Sequence, residues 1–284
     1  MSPEIDTEMS LLDQALAFAE AHGLTLPVFS DVALKVQAAA RDEHVDLGRI
    51  ERLISSDAAL VAELLRQANS AFFGGLSEVS TVRAAVQRLG LQRVVNLVFL
   101  ATEKSRYTAR DPQLAHLMRR LWRHSSACAL AGEWMARRLR LTHVTEAVFI
   151  GGLMHDIGKL FLLRVLDAMA TAAPEEERVP MTLVHEVLDQ AHAGIGHRLL
   201  ASWNLPGVYQ TIVRDHHLEA ADPTNVALQI VRLANHACNK AGIGLRETGG
   251  LDLSGLAEAS VLGINEVALA ELEVILEDAA AAAA

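Results

Sequence analysis

The stretch Met154-His155-Asp156-Ile157-Gly158-Lys159 combines an imidazole, a carboxylate and an ammonium group in one short segment. Imidazole nitrogen and carboxylate oxygen are ligands for divalent transition metals such as Fe, Mn, Ni or Zn. A lysine can hold a phosphate group as a point charge. Adjacent helical residues point about 100° apart, so His155 and Asp156 can share an ion only at the end of a helix. If this stretch binds a metal ion, the ion is therefore expected at a helix end.

The segments on either side of this stretch favour helices. Gln113 to Leu139 carries a long helical pattern, and Val144 to Met154 carries a second one that ends at an expected break at Gly158. Aromatic residues make up only 4% of the chain, and the alternating runs typical of strands are scarce. The sequence therefore predicts an all-α protein. Further helices are expected over Leu160–Met169, Leu183–Trp203, Val208–His217 and Asn225–Ala241.

The first third of the chain predicts shorter helices with short connections. Glu4 to His22 forms an amphipathic segment that ends at a glycine. Asp46, Asp57 and Thr81 each precede an apolar helical pattern, and these residue types are preferred N-caps because their side chains accept from the free N–H groups of the first turn. Such an arrangement is typical of a compact helical bundle.

Histidines concentrate in the second half of the chain, where most of the 12 fall. Their spacing alone does not distinguish a metal site from a hydrogen-bonded network of imidazoles. The candidate metal ligands are His124, His155, Asp156, His192, His216 and His217. The histidines expected to be ordinary surface or core residues are His22, His44, His116, His143 and His197.

The net charge and the lack of long apolar segments argue against some classes of protein. The formal net charge is −10 over 284 residues, which argues against broad nucleic-acid binding because such binding needs Lys and Arg to neutralise phosphates. A local basic pocket for a phosphate-containing small ligand is compatible with this charge. The sequence has neither a signal-peptide pattern nor an apolar run of about 20 residues. We therefore expect a cytoplasmic protein without membrane contact.

A series of ordered motifs runs through most of the chain, from about Leu24 to Leu245. The motifs are Leu26-Pro27, Leu53–Leu60, Leu64–Gly74, Ala84–Gly90, His124, His155–Lys159, His192–Gly196, Trp203–Pro206, His216-His217 and Leu233–Asn235. This series resembles the HDOD subfamily of the HD superfamily of metal-dependent phosphohydrolases. His155–Lys159 carries the likeness to the superfamily, and the first half carries the likeness to HDOD in particular.

The resemblance implies a bacterial, all-α, HD-like helical bundle with two packed helical subdomains. We expect an N-terminal helix over 1–23 and the N-terminal helical half of the domain over 24–108. The half that carries the His/Asp pocket would span 109–245, and a helical tail would span 246–284. The turn Asn69–Gly74, with its two phenylalanines, is expected to be core and turn structure between the halves.

The resemblance also implies roles for individual residues. The catalytic superfamily places metal ligands at His124, His155 and Asp156. The HD-GYP branch, which cleaves cyclic dinucleotides, would add His192 and the His216-His217 pair. The same branch implies a catalytic role for Asp156 and for Lys159, which would contact the phosphate.

Two features depart from the catalytic pattern. Asn235 stands where the superfamily has a final aspartate ligand, and a neutral amide is a poorer ligand than a carboxylate. The residues after His217, Leu218–Pro223, also lack the Gly-Tyr-Pro signature. Both departures argue against hydrolysis of cyclic di-GMP.

Two hypotheses from different classes follow. The favoured one is a signal-transduction or regulatory module with a degenerate metal pocket, which acts through a protein partner or a small ligand. The alternative is an active metal-dependent phosphohydrolase that cleaves a phosphomonoester or phosphodiester. In that enzyme a water activated by the ion would attack phosphorus, and Lys159 would stabilise the developing charge. Asn235 is the residue that favours the regulatory hypothesis.

Overall fold

The computed structural model of this chain describes residues 9–26, 29–42, 44–69, 78–172, 179–245 and 249–283. These residues form α-helices and one short 3-10 helix, and no strand occurs among them. The all-α prediction is confirmed. The chain divides into two units, Met1–Leu26 with Tyr107–Ala284, and Pro27–Arg106. The N-terminal helix, which the sequence set apart as a segment of its own, therefore belongs to the unit that carries the candidate metal ligands.

The smaller unit contains helices that begin at side-chain caps. Asp46, Asp57 and Thr81 each accept a hydrogen bond from a main-chain N–H in the first turn of the helix that follows. These caps confirm the predicted helix starts, because they satisfy donors that have no partner within the helix. The helices of this unit are α2 (Asp31–Ala40), α3 (Leu47–Ser55), α4 (Ala58–Ala68), α5 (Val82–Leu89) and α6 (Leu91–Lys104).

The larger unit is organised around one long helix. Its helices are α1 (Leu11–Ala21), α7 (Pro112–Arg138), α8 (Thr145–Met154), α9 (Ile157–Ala172), α10 (Met181–Ser202), α11 (Gly207–Asp215), α12 (Val226–Lys240), α13 (Ala257–Leu262) and α14 (Glu266–Ala283), with a 3-10 helix over Thr142–Val144. The helix α7 packs against α8, α12 and α14, while α10 packs against both α9 and α11. The expected N-terminal helix from Glu4 is described only from Leu11 onward.

Two glycines allow close contact between helices at the centre of this unit. A Cβ on Gly152 would lie 2.9 Å from Ala129 Cα, so the backbones of α8 and α7 touch at this point. A Cβ on Gly158 would overlap the carbonyl group of His192 in α10. The expected break at Gly158 is therefore wrong. Gly158 lies inside the first turn of α9, where its lack of a side chain serves helix packing and not chain reversal.

Some expected features lie outside the described residues. These are Pro27, most of the turn Asn69–Gly74 with its two phenylalanines, and the proline-containing loop at 173–178. None of the described helices has the length and the apolar character that crossing a membrane requires.

Candidate metal centre

The candidate ligands meet in the interior of the larger unit. His155 and Asp156 occupy the turn between α8 and α9, His124 comes from α7, and His192 comes from α10. The pair His216-His217 directly follows α11. All except His217 are buried, with at most 3% of each residue exposed. The structure therefore brings together six side chains that the sequence distributes over 94 positions, from 124 to 217.

Asp156 lies at the centre of this cluster. Its Oδ2 is 3.4 Å from His155 Nε2 and 3.6 Å from His124 Nε2. Its Oδ1 is 3.4 Å from His192 Nε2 and 3.6 Å from His216 Nε2. The single carboxylate therefore faces two pairs of imidazoles, one pair on each oxygen.

The ligand atoms form two groups, in each of which all atoms lie within 4.8 Å of one another. The first group, which we call group A, consists of His124, His155 and Asp156. The second, group B, consists of Asp156, His192, His216 and His217. Asp156 belongs to both groups, so the cluster has the form of two adjoining sites that share one carboxylate.

Main-chain carbonyl groups orient four of the imidazoles. The Nδ1 atoms lie 2.6 to 2.8 Å from carbonyl oxygens of four different segments. The pairs are His124 with Ile243, His155 with Gly152, His192 with Leu188, and His216 with Val213. Because a carbonyl oxygen can only accept, each Nδ1 must carry the proton. A neutral ring then presents an unprotonated Nε2 to Asp156, which is the form that binds a metal.

Burial keeps three of the clustered histidines neutral. Desolvation lowers the pKa of His124 to about 4 and that of His192 to about 3, and it also lowers the pKa of His216. Burial alone would raise the pKa of Asp156, but the Lys159 ammonium holds it well below its usual range. Near pH 7 the rings of His124, His192 and His216 are therefore neutral and lie around a charged carboxylate.

The donor set fits a divalent transition metal. Asp156 Oδ1 is buried and has no hydrogen-bond partner among the described residues. A buried polar atom of this kind is costly unless a donor or a cation satisfies it. Imidazole nitrogens together with carboxylate oxygen suit Fe, Mn, Ni or Zn.

Lys159 and His217 lie at the accessible side of the cluster. Lys159 Nζ lies 2.8 Å from Asp156 Oδ2, and its side chain is 12% exposed. His217 is exposed, unlike the other five candidate ligands. Solvent therefore reaches the cluster mainly at these two residues.

Asn235 is buried on α12, where its Oδ1 accepts a hydrogen bond from Asn239 Nδ2 at 3.2 Å. Burial lowers the pKa of the following residue, His236, which interacts with the charges of Glu258 and Arg232 and belongs to neither ligand group. The five histidines expected to be ordinary belong to neither group A nor group B. His22, for example, is exposed and stacks on Phe18 at a ring distance of 4.0 Å.

Comparison with known protein families shows to which family this chain belongs. The profile of the HDOD domain matches residues 26–219, which is more than half of its length. The chain belongs to the HDOD family. A relative from Treponema pallidum (strain Nichols), itself an uncharacterized protein, is 28% identical over 196 residues. That match covers 68% of this HDOD chain but only 37% of the Treponema protein, so this chain spans little more than a third of that relative.

Solved structures share the HDOD fold. An HDOD domain protein of unknown function from Geobacter sulfurreducens superposes with a TM-score of 0.72 at 20% identity, covering 96% of this chain and 98% of that one. A proposed metal-dependent phosphohydrolase from Shewanella amazonensis SB2B gives 0.70 at 20% identity, with the same coverage. A proposed signal transduction protein from Marinobacter aquaeolei VT8 gives 0.63 at 19% identity, covering 96% and 66%. At these identities the likeness concerns the fold.

The groups that orient the ligands of this HDOD chain could not be recognised in its sequence. Ile243, Gly152, Leu188 and Val213 contribute only main-chain oxygens, for which no residue type is a signal. Arg232 was also missed. It is a buried arginine in an apolar helix, and this is an uncommon residue for such a position unless it is paired.

Proposed function

We propose that this HDOD chain is a signal-transduction module whose buried His/Asp cluster binds one or two divalent transition metal ions. The observation that carries the proposal is the orientation of the imidazoles. His192 Nε2 lies 3.2 Å from His216 Nε2, and both rings use Nδ1 to donate to a main-chain carbonyl. Two neutral rings held in this way present lone pairs to each other.

This arrangement argues against a network of hydrogen bonds among the histidines. Such a network needs a proton between the two Nε2 atoms, and one ring would then carry a positive charge. Burial opposes that charge, since it lowers the pKa of both His192 and His216. A divalent cation would instead satisfy both lone pairs and the unpartnered Asp156 Oδ1.

The two groups A and B support one ion each, with Asp156 between them. Group A offers two imidazoles and group B offers three. Nitrogen donors in this proportion favour Fe, Mn, Ni or Zn over Mg or Ca, which prefer oxygen. Group B has more donors, so we expect it to bind its ion more tightly than group A does.

The regulatory role is supported by Asn235 and by the family. The superfamily's final carboxylate is absent at this position, which lowers the negative charge available to hold two dications. The Marinobacter structure of the same fold bears the description of a proposed signal transduction protein. We propose that the metal-loaded module acts through a protein partner, and that its acidic surface does not bind nucleic acid.

A second candidate function is metal-dependent phosphohydrolysis, and Lys159 favours it. A divalent ion, when bound, makes water more acidic and polarises a phosphoryl oxygen. Lys159, which is partly exposed beside Asp156, would hold a phosphate at the rim and offset its charge. His217, the exposed ligand candidate, is accessible to a phosphomonoester or phosphodiester from solvent.

Elemental analysis tests the metal proposal directly. The protein would be purified without a metal-affinity step and its Fe, Mn, Ni and Zn content measured beside His155→Ala, Asp156→Ala and His116→Ala. His116 is an exposed histidine on the same helix as His124 and serves as the matched control. We expect near-stoichiometric metal in the wild type and His116→Ala, and little in Asp156→Ala. Absence of metal from folded wild type would overturn the proposal.

A screen of phosphoesters with the metal-loaded protein separates the two candidate functions. Turnover that disappears in Lys159→Met, with metal content retained, would establish the hydrolase. Metal binding without turnover of monoesters, diesters or cyclic dinucleotides would support the regulatory module.

A further inference from the structure

A buried ion pair lies behind the turn that carries His216 and His217. Arg232 of α12 donates from Nε to Glu258 Oε1 of α13 at 2.6 Å. The two side chains are only 10% and 4% exposed. Both residues lie beyond the region that the family profile matches, which ends at residue 219.

The guanidinium group of Arg232 also contacts the main chain of this turn. Its Nη1 donates to the carbonyl oxygens of Asp215, His216 and Leu218, at 3.3, 3.0 and 2.7 Å. Carbonyl groups at the end of a helix have no partner within it. The helix α11 ends at Asp215, and the residue that caps it, His216, is not a glycine in the left-handed conformation. Arg232 takes over that capping role and fixes the backbone on both sides of His217.

Glu258 allows the guanidinium to be buried. Carbonyl dipoles alone would leave the charge of Arg232 uncompensated, and a buried unpaired charge costs several kcal/mol. Burial by itself would raise the pKa of Glu258, but its own backbone N–H and Arg232 lower the pKa overall. Glu258 is therefore a carboxylate that neutralises Arg232 in place.

We infer that Arg232 and Glu258 are positioning residues. They hold His216 and His217 in the positions that metal binding by group B requires. This inference rests on the proposed metal-binding function. Ligand distances in metal sites must hold to within about 0.2 Å, and loss of outer-shell partners typically costs 10- to 100-fold in metal affinity. The imidazole of His216 is tied to α11 by its own Nδ1 contact with Val213. The position of that end of α11, in turn, depends on Arg232.

Group A provides an internal comparison. His124 and His155 come from α7 and from the end of α8, and their Nδ1 atoms contact Ile243 and Gly152. Neither contact involves the turn held by Arg232. A defect in the ion pair should therefore weaken group B and leave group A unchanged, which general destabilisation would not do.

The experiment titrates metal-free protein with Co²⁺ and compares Glu258→Gln with Glu103→Gln. The control removes the carboxylate of the Arg106–Glu103 pair in the other unit, where the side chains are 15% and 4% exposed. The variants His124→Ala and His217→Ala assign the two binding steps to groups A and B. We expect Glu258→Gln to weaken the group B step 10- to 100-fold and Glu103→Gln to leave both steps unchanged. Equal binding by wild type and Glu258→Gln would overturn the inference.

A second readout does not depend on metal. Imidazole ¹⁵N spectra of the metal-free protein should show shifted resonances for His216 and His217 in Glu258→Gln, with those of His124 and His155 unchanged. If wild type binds no metal, the proposed function fails, and these spectra still decide the positioning role. If Glu258→Gln does not fold, Arg232→Lys keeps the charge but lacks the planar fork, and the same selective shifts are expected from it. Unshifted His216 and His217 resonances in a folded variant would contradict the inference.

Discussion

Lys159 Nζ lies 2.8 Å from Asp156 Oδ2, one helical turn along the chain from the carboxylate that both metal groups share. The ammonium stabilises the ionised carboxylate in the metal-free protein and helps to hold the pKa of Asp156 low. It also competes with any cation for the same oxygen. Lys159 therefore has opposite effects on the metal-free and metal-loaded states.

Replacing Lys159 by Met should tighten metal binding and weaken the binding of phosphate. Removal of a competing charge is expected to raise metal affinity by roughly tenfold, or about 1.4 kcal/mol. Inorganic phosphate should bind the metal-loaded variant less well, because the point charge at the rim is gone. Calorimetric titration with Zn²⁺ and then with phosphate measures both effects. Metal affinity that falls with the substitution would show that Lys159 supports the site only structurally.

Metal-free protein should lose stability as the pH falls below about 6.5. The folded-state pKa values of His124 and His192 are about 4 and about 3, lower than the usual value near 6.5. The unfolded chain therefore binds protons that the folded chain excludes, and stability declines between pH 6.5 and these lower values. Each such histidine contributes a slope of about 1.4 kcal/mol per pH unit. Urea unfolding at pH 7.5, 6.0 and 5.0 measures the decline.

The variant His124→Asn should flatten this pH dependence, whereas His116→Asn should leave it as in the wild type. An unchanged slope in His124→Asn would mean that His124 does not remain neutral in the fold.

Removal of metal should lower the thermal stability of the protein. A ligand that binds only the folded state at 100 times its dissociation constant adds about 2.7 kcal/mol. We expect a chelator to decrease Tm in the wild type and in His116→Ala. The same chelator should have no effect on Asp156→Ala, which lacks the shared carboxylate. A chelator effect of equal size in Asp156→Ala would place the metal elsewhere in the chain.

Two glycine-to-alanine substitutions on facing helices should have opposite effects. A Cβ on Gly158 would overlap the carbonyl group of His192, so Gly158→Ala must push α9 and α10 apart. Overpacking of this kind typically costs about 1–3 kcal/mol, and the displaced His192 should reduce metal content. Gly194, in α10, has open space around its Cβ position. Gly194→Ala should therefore stabilise the protein by about 0.4–1 kcal/mol. Chemical unfolding and elemental analysis of both variants test this pair.

The helical architecture could be predicted from local signals in the sequence. Asp46, Asp57 and Thr81 are side-chain caps as expected, since capping depends on residues only two or three positions apart. The environment of Gly158 could not be predicted in this way. A glycine after a helix commonly marks a break, and only the path of α10 shows that this one permits a close contact.

The candidate ligands could be named from the sequence, but their electrostatic state could not. Their residue types and order carried the likeness to the superfamily. The main-chain oxygen that sets the protonation of His124 belongs to Ile243, 119 residues away. Those of His155, His192 and His216 lie three or four residues earlier in the chain, but a main-chain oxygen has no residue type that would mark it in a sequence. The ion pair between Arg232 and Glu258 likewise joins two helices through tertiary contact alone.

The net charge of the pocket depends on Asp156, on Lys159 and on any metal ion that binds there. In the metal-free protein the negative Asp156 carboxylate is balanced by the positive Lys159 ammonium 2.8 Å away. Each dication that enters adds two positive charges, and Asn235 adds no negative charge where a carboxylate would have. A loaded pocket would therefore hold surplus positive charge beneath an otherwise acidic surface. Metal occupancy would then determine whether this part of the protein attracts an anion.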